Sequence, residues 1–369
     1  MIRQFVSRAL VLVLGSLSMG LLAQDSPRPR PRRAAPIVSP EIMDGAMVTF
    51  RIAAPNAKEV RVNGQWSEGR SEMTRNENGI WQVTLGPVPA GVWEYGFQVD
   101  GVSMIDPGNG SIKPMHRPRT SILHIVGEPE LIHDFRSVPH GSVHQHSYKS
   151  DSLGQIRHLV VYTPPGYEKS RLKRYPSLYL QHGSGDNQDT WTVHGKAHWI
   201  VDNLIAEERA EQMIIVMMDG HASADRQNNT NAFEKDLLEE VMPFVNEKYR
   251  VKKGAKHRGI VGLSMGGGQS LTIGLKHTDL FAWVGGFSSS VPRAESVALA
   301  LDNSRKTNRQ LQLLWIGCGK DDFLLERNKK FVAALSEVGV KHVWRLTEGN
   351  HSWPVWREYL AEFVPKLFQ

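Results

Sequence analysis

The 369-residue chain has a single cysteine, Cys318. An intrachain disulfide is therefore excluded, and stability has to come from packing. Beside Ile316 and Gly317, Cys318 reads as a small core filler at a strand end rather than a nucleophile. Long apolar runs are equally scarce. After residue 23 no segment is apolar enough to span a bilayer, which limits any candidate spanning segment to the N-terminus. An excess of one charge is missing from the body of the chain. The formal charge is +6, but Arg3 and Arg8 lie in the leader, and Arg28, Arg30, Arg32 and Arg33 against Asp25 occupy a Pro-rich stretch. The remainder is close to neutral, so the basic isoelectric point does not argue for nucleic acid.

What is present begins with a leader. Residues 1–23 show a basic start, an apolar run from Ala9 to Leu22 and a small residue, Ala23, before a polar stretch. This is the pattern of a secretory signal peptide cleaved after Ala23, with an uncleaved anchor as the alternative. No cysteine follows it to carry a lipid. Residues 24–41, with SPRPRPRRAAPIVSP from Ser26 to Pro40, read as an extended linker that cannot build a core. Export to the periplasm or the exterior follows, with no membrane contact once the leader is removed.

Residues 42–127 hold short β-rich runs between turn residues: MVTFRIAAP, KEVRVNG, GIWQVTL and GVWEYGFQVDG. Their period of two predicts a small antiparallel β-sandwich. The order FRIAAPNAKEVRVNGQW, GIW, GVWEYGFQVDG and DPGN resembles the immunoglobulin-like early-set domain of carbohydrate-binding module family 48. That resemblance makes Trp66, Trp81, Trp93 and Tyr95 candidates to stack on sugar rings, Trp66 first because it sits beside a turn. The alternative is core or cross-strand packing. Residues 128–145 lack a clear period and read as a connection. His144 and His146 form an H-x-H without the carboxylate or cysteine cluster that would complete a metal site.

From residue 146 to the C-terminus, apolar runs at 157–162, 177–180, 213–218, 259–262, 283–287, 311–316 and 342–346 alternate with amphipathic helical patterns. The alternation predicts an α/β-hydrolase architecture, a mostly parallel sheet with helices on both faces. Between the run RGIV and the helix GGGQSLTIGLKH stands Gly262-Leu263-Ser264-Met265-Gly266. A G-x-S-x-G in that setting is a nucleophile elbow, which lifts the serine hydroxyl above the sheet. A serine near its free pKa is a poor nucleophile, so Ser264 needs a base and the base an orienting acid, each on a loop after a strand. The strand LQLLWIGCG ends in Lys320-Asp321-Asp322, where two aspartates compete for the role of acid. The next strand ends in Asn350-His351-Ser352-Trp353, making His351 the base, whereas His342 lies at that strand's start. The oxyanion needs two donors. The amide of Met265 is one, and the loop Gln181-His182-Gly183-Ser184-Gly185-Asp186 supplies the other, Ser184 being favoured over Gly185. His182 is expected to pack beneath this loop. Trp191, His194, Trp353 and Trp356 are candidate walls of the substrate pocket, with core packing as the alternative.

QHGSG, MIIVMMDG, FEKDLLEEVMPFVNEKY, GLSMGG, GCGKDDFL and GNHSW together resemble the esterase D family. It overlaps carbohydrate esterase family one and includes feruloyl, acetylxylan and enterochelin esterases, S-formylglutathione hydrolases and mycolyltransferases. The resemblance implies that the acid, third after Gly319, is Asp322, and it implies a Ser264, Asp322, His351 triad with no metal or cofactor. The cysteine-bearing loop of S-formylglutathione hydrolases is lacking. The expected activity is hydrolysis of carboxylic esters, with feruloylated or acetylated plant cell-wall polysaccharide or oligosaccharide as substrate. The alternatives are an esterase for a siderophore or another small ester, and a glycan-binding protein whose hydrolase domain is inactive.

Overall fold

Alternating apolar residues build the N-terminal strands. The computed structural model describes residues 36–67 and 69–369; the expected leader and most of the expected linker fall outside them. Val48, Phe50 and Ile52 point inward from β2 (Met47–Ala53), as Val60 and Val62 do from β3 (Val60–Gly64). With β1 (Glu41–Met43), β4 (Arg70–Glu72), β5 (Thr74–Arg75), β6 (Ile80–Leu85), β7 (Gly91–Val99), β8 (Val102–Met104) and β9 (Ser121–Ile125), they form two antiparallel sheets. One has the order β1-β2-β6-β5; the other is β4-β3-β7-β8, with β9 also paired to β7.

The DPGN turn is a structural hub. The buried Asp106 carboxylate accepts hydrogen bonds from Ser39 Oγ at 2.6 Å, Tyr95 Oη at 2.8 Å and the Gly108 amide at 2.7 Å. This corrects two expectations. Ser39 is buried in the sandwich, so the linker ends before it rather than at residue 41. Tyr95 and Trp81 are core residues, Trp81 donating its indole N–H to Ala54 O at 2.8 Å, and neither presents a ring to a sugar. Trp66 lies half-buried on Phe50, their rings 10° from parallel, and half-buried Trp93 donates to Pro89 O at 2.8 Å.

The larger sheet has the order β10-β11-β13-β12-β14-β15-β16-β17, built from β10 (Ser142–Ser150), β11 (Gln155–Thr163), β12 (Ser177–Gln181), β13 (Ile214–Met218), β14 (Arg258–Leu263), β15 (Trp283–Phe287), β16 (Leu313–Gly319) and β17 (Val343–Thr347). Strands β10, β11 and β13 pair antiparallel, and the rest of the sheet is parallel. The central strands β12, β13 and β14 are buried throughout, as expected where helices cover both faces. One hydrophobic core, around Phe233, Ile260 and Ile273, fills one face; another, around Ile215, Trp315 and Tyr359, fills the opposite one.

The expected connection is shortened by β10, which begins at Ser142. Apart from exposed Val143 and buried Tyr148 this edge strand is polar, so no apolar period betrays it. His144 and His146 lie on it, bonded to Thr163 Oγ1 and Tyr249 Oη. Among the described residues no group of three His, Cys, Asp or Glu is placed to hold a metal, and no helix is long and apolar enough to cross a membrane.

Candidate active site

Ser264 sits at the junction of β14 and the helix Ser264–Lys276, with φ of 53°. That left-handed conformation is costly for a residue with a Cβ and persists only where the surroundings enforce it. Here the enforcement is steric. A Cβ on Gly262 would lie 2.6 Å from the backbone of Gly266, and one on Gly266 only 2.2 Å from His182 O. Both glycines are needed for the strand, the helix and the loop after β12 to meet at the turn.

Three chain segments then converge on the hydroxyl. His351 Nε2 lies 3.0 Å from Ser264 Oγ, and His351 Nδ1 lies 2.9 Å from Asp322 Oδ2. The Leu324 amide donates to Asp322 Oδ1 at 2.8 Å. Burial raises the Asp322 pKa, but the bonds from His351 and Leu324 outweigh it and hold the carboxyl below its ordinary range. An ionised Asp322 keeps the proton of His351 on Nδ1 and leaves Nε2 free to accept the serine proton. Asp321 is exposed, its amide bonded to Gly349 O at 3.0 Å, and takes no part in this relay. His342 is also apart from it, with Nδ1 on Val340 O. Cys318 is fully buried, its thiol pushed up to about 12 by burial and by the neighbouring Asp322.

The loop after β12 runs against the nucleophile: a Cβ on Gly183 would lie 3.4 Å from Ser264 Cβ. The Gly185 amide is committed to His221 Nε2 at 3.0 Å, whereas the Ser184 amide has no acceptor among the described residues. Met265 follows Ser264 in the first helical turn, where an amide has no intrahelical acceptor. Both amides lie beside Ser264 and are free to donate to an oxyanion. His182 lies beneath the loop, Nε2 accepting from the Gly220 amide at 2.9 Å and Nδ1 facing Gly183 O at 2.7 Å.

A cavity of about 270 Å³ opens over Ser264 and His351, with Trp353 and Trp356 in its wall. Both indoles are buried, and their N–H groups have no partner among the described residues. Trp191 and His194 are corrections. Trp191 is 1% exposed, packs under Trp353 and donates to Gln181 O; His194 is fully buried, its ring 5.2 Å from that of Trp353. Neither reaches the cavity, because Trp353 covers them.

The loop after β12 adds Gly183, Ser184 and Asp186 to the wall, and the sandwich contributes Glu94, Lys113, Met115, Arg119 and Thr120. Buried Lys113 reaches Glu94 at 3.0 Å and Asp186, on the oxyanion loop, at 3.2 Å. Burial raises the Glu94 pKa, yet His194 and Lys113 beside it leave the carboxyl well below its usual range. The segment 113–116 is strapped along that loop. His116 N–H donates to Gly185 O at 3.0 Å, Met115 pairs with Asp186, and Pro114 O accepts from Thr190 Oγ1 at 2.7 Å. Arg357, behind the site, donates to Val92 O at 2.8 Å. These sandwich residues went unrecognised in the sequence, because a lysine between an isoleucine and a proline carries no periodic signal.

Comparison with known proteins agrees with this architecture. Residues 150–367 match the family model described as Putative esterase. Residues 38–119 match Carbohydrate-binding module 48 (Isoamylase N-terminal domain). An endo-1,4-beta-xylanase/feruloyl esterase of Xylanibacter ruminicola is 30% identical over 355 residues, covering 93% of this chain and 47% of the relative. The endo-1,4-beta-xylanase Y of Acetivibrio thermocellus is 25% identical over 247 residues, and 22% of it is covered. The chain thus spans about half or less of the length of these relatives. Among solved structures, a ferulic acid esterase matches with a TM-score of 0.57 at 29% identity, covering 61% of this chain and 97% of that one. The enterobactin esterase of Shigella flexneri shares the fold, with a TM-score of 0.64 at 18% identity over 88% of this chain and 93% of that one.

Proposed function

This chain belongs to that esterase family, and from this premise we propose that it is a serine carboxylic ester hydrolase releasing hydroxycinnamoyl groups, feruloyl in the first instance, from plant cell-wall polysaccharide. The observation that carries the chemistry is the relay of Ser264 Oγ, His351 and Asp322 with separations of 3.0 and 2.9 Å beside the free amide of Ser184. The substrate reading is supported by the feruloyl esterase relatives and by a glycan-module-like domain in the same chain.

In the proposed reaction Ser264 Oγ attacks the ester carbonyl carbon as its proton passes to His351 Nε2. The oxyanion is held by the amides of Ser184 and Met265. On collapse the C–O bond to the alcohol breaks, and His351 returns the proton to the leaving oxygen. Water, deprotonated by His351, then attacks the acyl-enzyme and releases the acid and Ser264. The imidazolium formed in each half-reaction is stabilised by Asp322. In this reading the sandwich shapes the site as well as accompanying it. The leader pattern of residues 1–23 supports action outside the cytoplasm, on a polymer too large to enter.

A siderophore trilactone is the second reading, because the enterobactin esterase neighbour matches across both parts of the described chain. Initial rates on methyl ferulate, 4-nitrophenyl acetate and a catecholate trilactone, each with the Ser264→Ala variant in parallel, separate the readings. Ser264-dependent turnover of ferulate is expected. Turnover of the trilactone alone would move the substrate to siderophores, and full activity of Ser264→Ala would end the proposal.

A further inference from the structure

Beside the oxyanion loop lies a second and larger opening. It is a groove of about 1470 Å³ that shares Ser184, Gly185 and Met265 with the site and extends away from Ser264. Its volume exceeds the roughly 300–1,000 Å³ of an ordinary small-molecule pocket. Four arginines line it from three separate parts of the chain: Arg117 and Arg119 from the sandwich strap, Arg226 from the loop after β13, and Arg293 from the loop after β15. All four are exposed, and among the described residues none has a carboxylate partner.

The opposing charge is small. Glu295 is the one carboxylate in the lining. Asp225, next to Arg226 in the chain, accepts the Gln227 amide at 2.9 Å, and Asp219 is engaged by His116 and Arg157; neither lines the groove. His221 is pushed down to about 4, first by burial, and is neutral. The groove therefore carries about +3, while residues 36–369 carry a net charge near +1, so the remaining surface is slightly acidic. A solvated charge run would lie on one element. Here guanidiniums from three segments meet in one concave surface, which concentrates the field and favours anions.

We propose that this groove is a subsite for an acidic glycan, a chain bearing uronate carboxylates next to the ester that Ser264 attacks. Guanidinium forks match carboxylates in a bidentate manner, and repeated carboxylates along a sugar chain suit repeated arginines along a groove. Amide side chains at Gln227 and Asn231 add neutral donors and acceptors for hydroxyl groups. A neutral glycan would draw no advantage from the charge. The assignment rests on the esterase reading only for the purpose of binding, so the two are tested separately.

The test is calorimetric titration of the full chain carrying Ser264→Ala, which reads binding whether or not the protein is an esterase. The probes are tetragalacturonate and, as the neutral control, xylotetraose. Tetragalacturonate should bind the tighter of the two, and its affinity should fall several-fold from low to high ionic strength as the charges are screened. Adding Arg226→Gln and Arg293→Gln should weaken it by roughly fivefold. With Ser264 restored, the same two substitutions should leave 4-nitrophenyl acetate turnover unchanged, since neither residue lines the cavity over Ser264 and His351. Equal binding of both probes, no binding of tetragalacturonate, or an affinity indifferent to the arginine substitutions would overturn the subsite. Tighter, arginine-dependent binding of a catecholate trilactone would overturn the glycan assignment. Failure of the esterase reading would appear instead as loss of Ser264-dependent hydrolysis with this binding intact.

Discussion

Replacing Gly266 with alanine would separate catalysis from folding at the elbow. The new Cβ would sit 2.2 Å from His182 O and 2.7 Å from Gln181 Cγ. Backbone cannot swing aside as a side chain can, so the loop 181–184 has to retreat by about 1 Å to reach contact distance. That retreat takes the Ser184 amide away from the oxyanion, and loss of one such donor costs about 10²–10³ in kcat. The overpacking itself costs about 1–3 kcal/mol, so the protein stays folded. Gly274→Ala, on the same helix, is the control. Its Cβ would meet Val284 side-chain carbons at 2.6 Å, far from Ser264, at a comparable cost in stability but none in chemistry. Steady-state kinetics on 4-nitrophenyl acetate with denaturant unfolding of both variants reads the two effects. If Gly266→Ala keeps kcat within twofold of wild type, or Gly274→Ala loses as much, the steric account of the elbow is wrong.

Asp322→Asn should lower kcat by about 10⁴, because an amide orients the wrong imidazole tautomer toward Ser264; Asp321→Asn should stay within twofold, and steady-state kinetics on both variants distinguishes the adjacent aspartates. Stability should fall in acid. The carboxyls of Glu94 and Asp322 are depressed in the folded chain, so their contribution is complete above the unfolded values of 4.5 and 3.8 and is lost as pH drops below them. Thermal melting against pH should show this, and the acid-side slope should be shallower in Glu94→Gln. Cys318, fully buried with its thiol pushed up to about 12, should resist iodoacetamide in the native protein and react after unfolding, as mass spectrometry would show.

Much of the candidate site was legible in the sequence because its parts have fixed local contexts. A G-x-S-x-G needs a strand before it and a helix after it, and the histidine and the aspartates stand at the ends of apolar strands that announce themselves by composition. Buried strands such as β12 and β14 were read to within a residue or two for the same reason. What escaped was set by tertiary contact. Strand β10 is polar apart from Val143 and Tyr148, because as an edge strand it owes its place to nine-residue pairing with β11 more than to burial of one apolar face. Trp191 and Trp353 look alike in the sequence, but packing puts one beneath the other. The sandwich's share of the cleft, through Glu94, Lys113 and Arg119, depends on how two separately patterned segments meet, and no period or motif in either encodes that.

The central claim is that Ser264 carries the acyl group between the two halves of the reaction, and acid-quenched pre-steady-state kinetics with 4-nitrophenyl ferulate in excess over enzyme test it most directly. The account predicts a burst of 4-nitrophenol stoichiometric with enzyme, or, if deacylation is fast, a smaller trapped fraction, with the feruloyl group mapped by mass spectrometry to the peptide carrying Ser264. Turnover at full rate with no feruloyl group on Ser264, or with one on another residue, would contradict it.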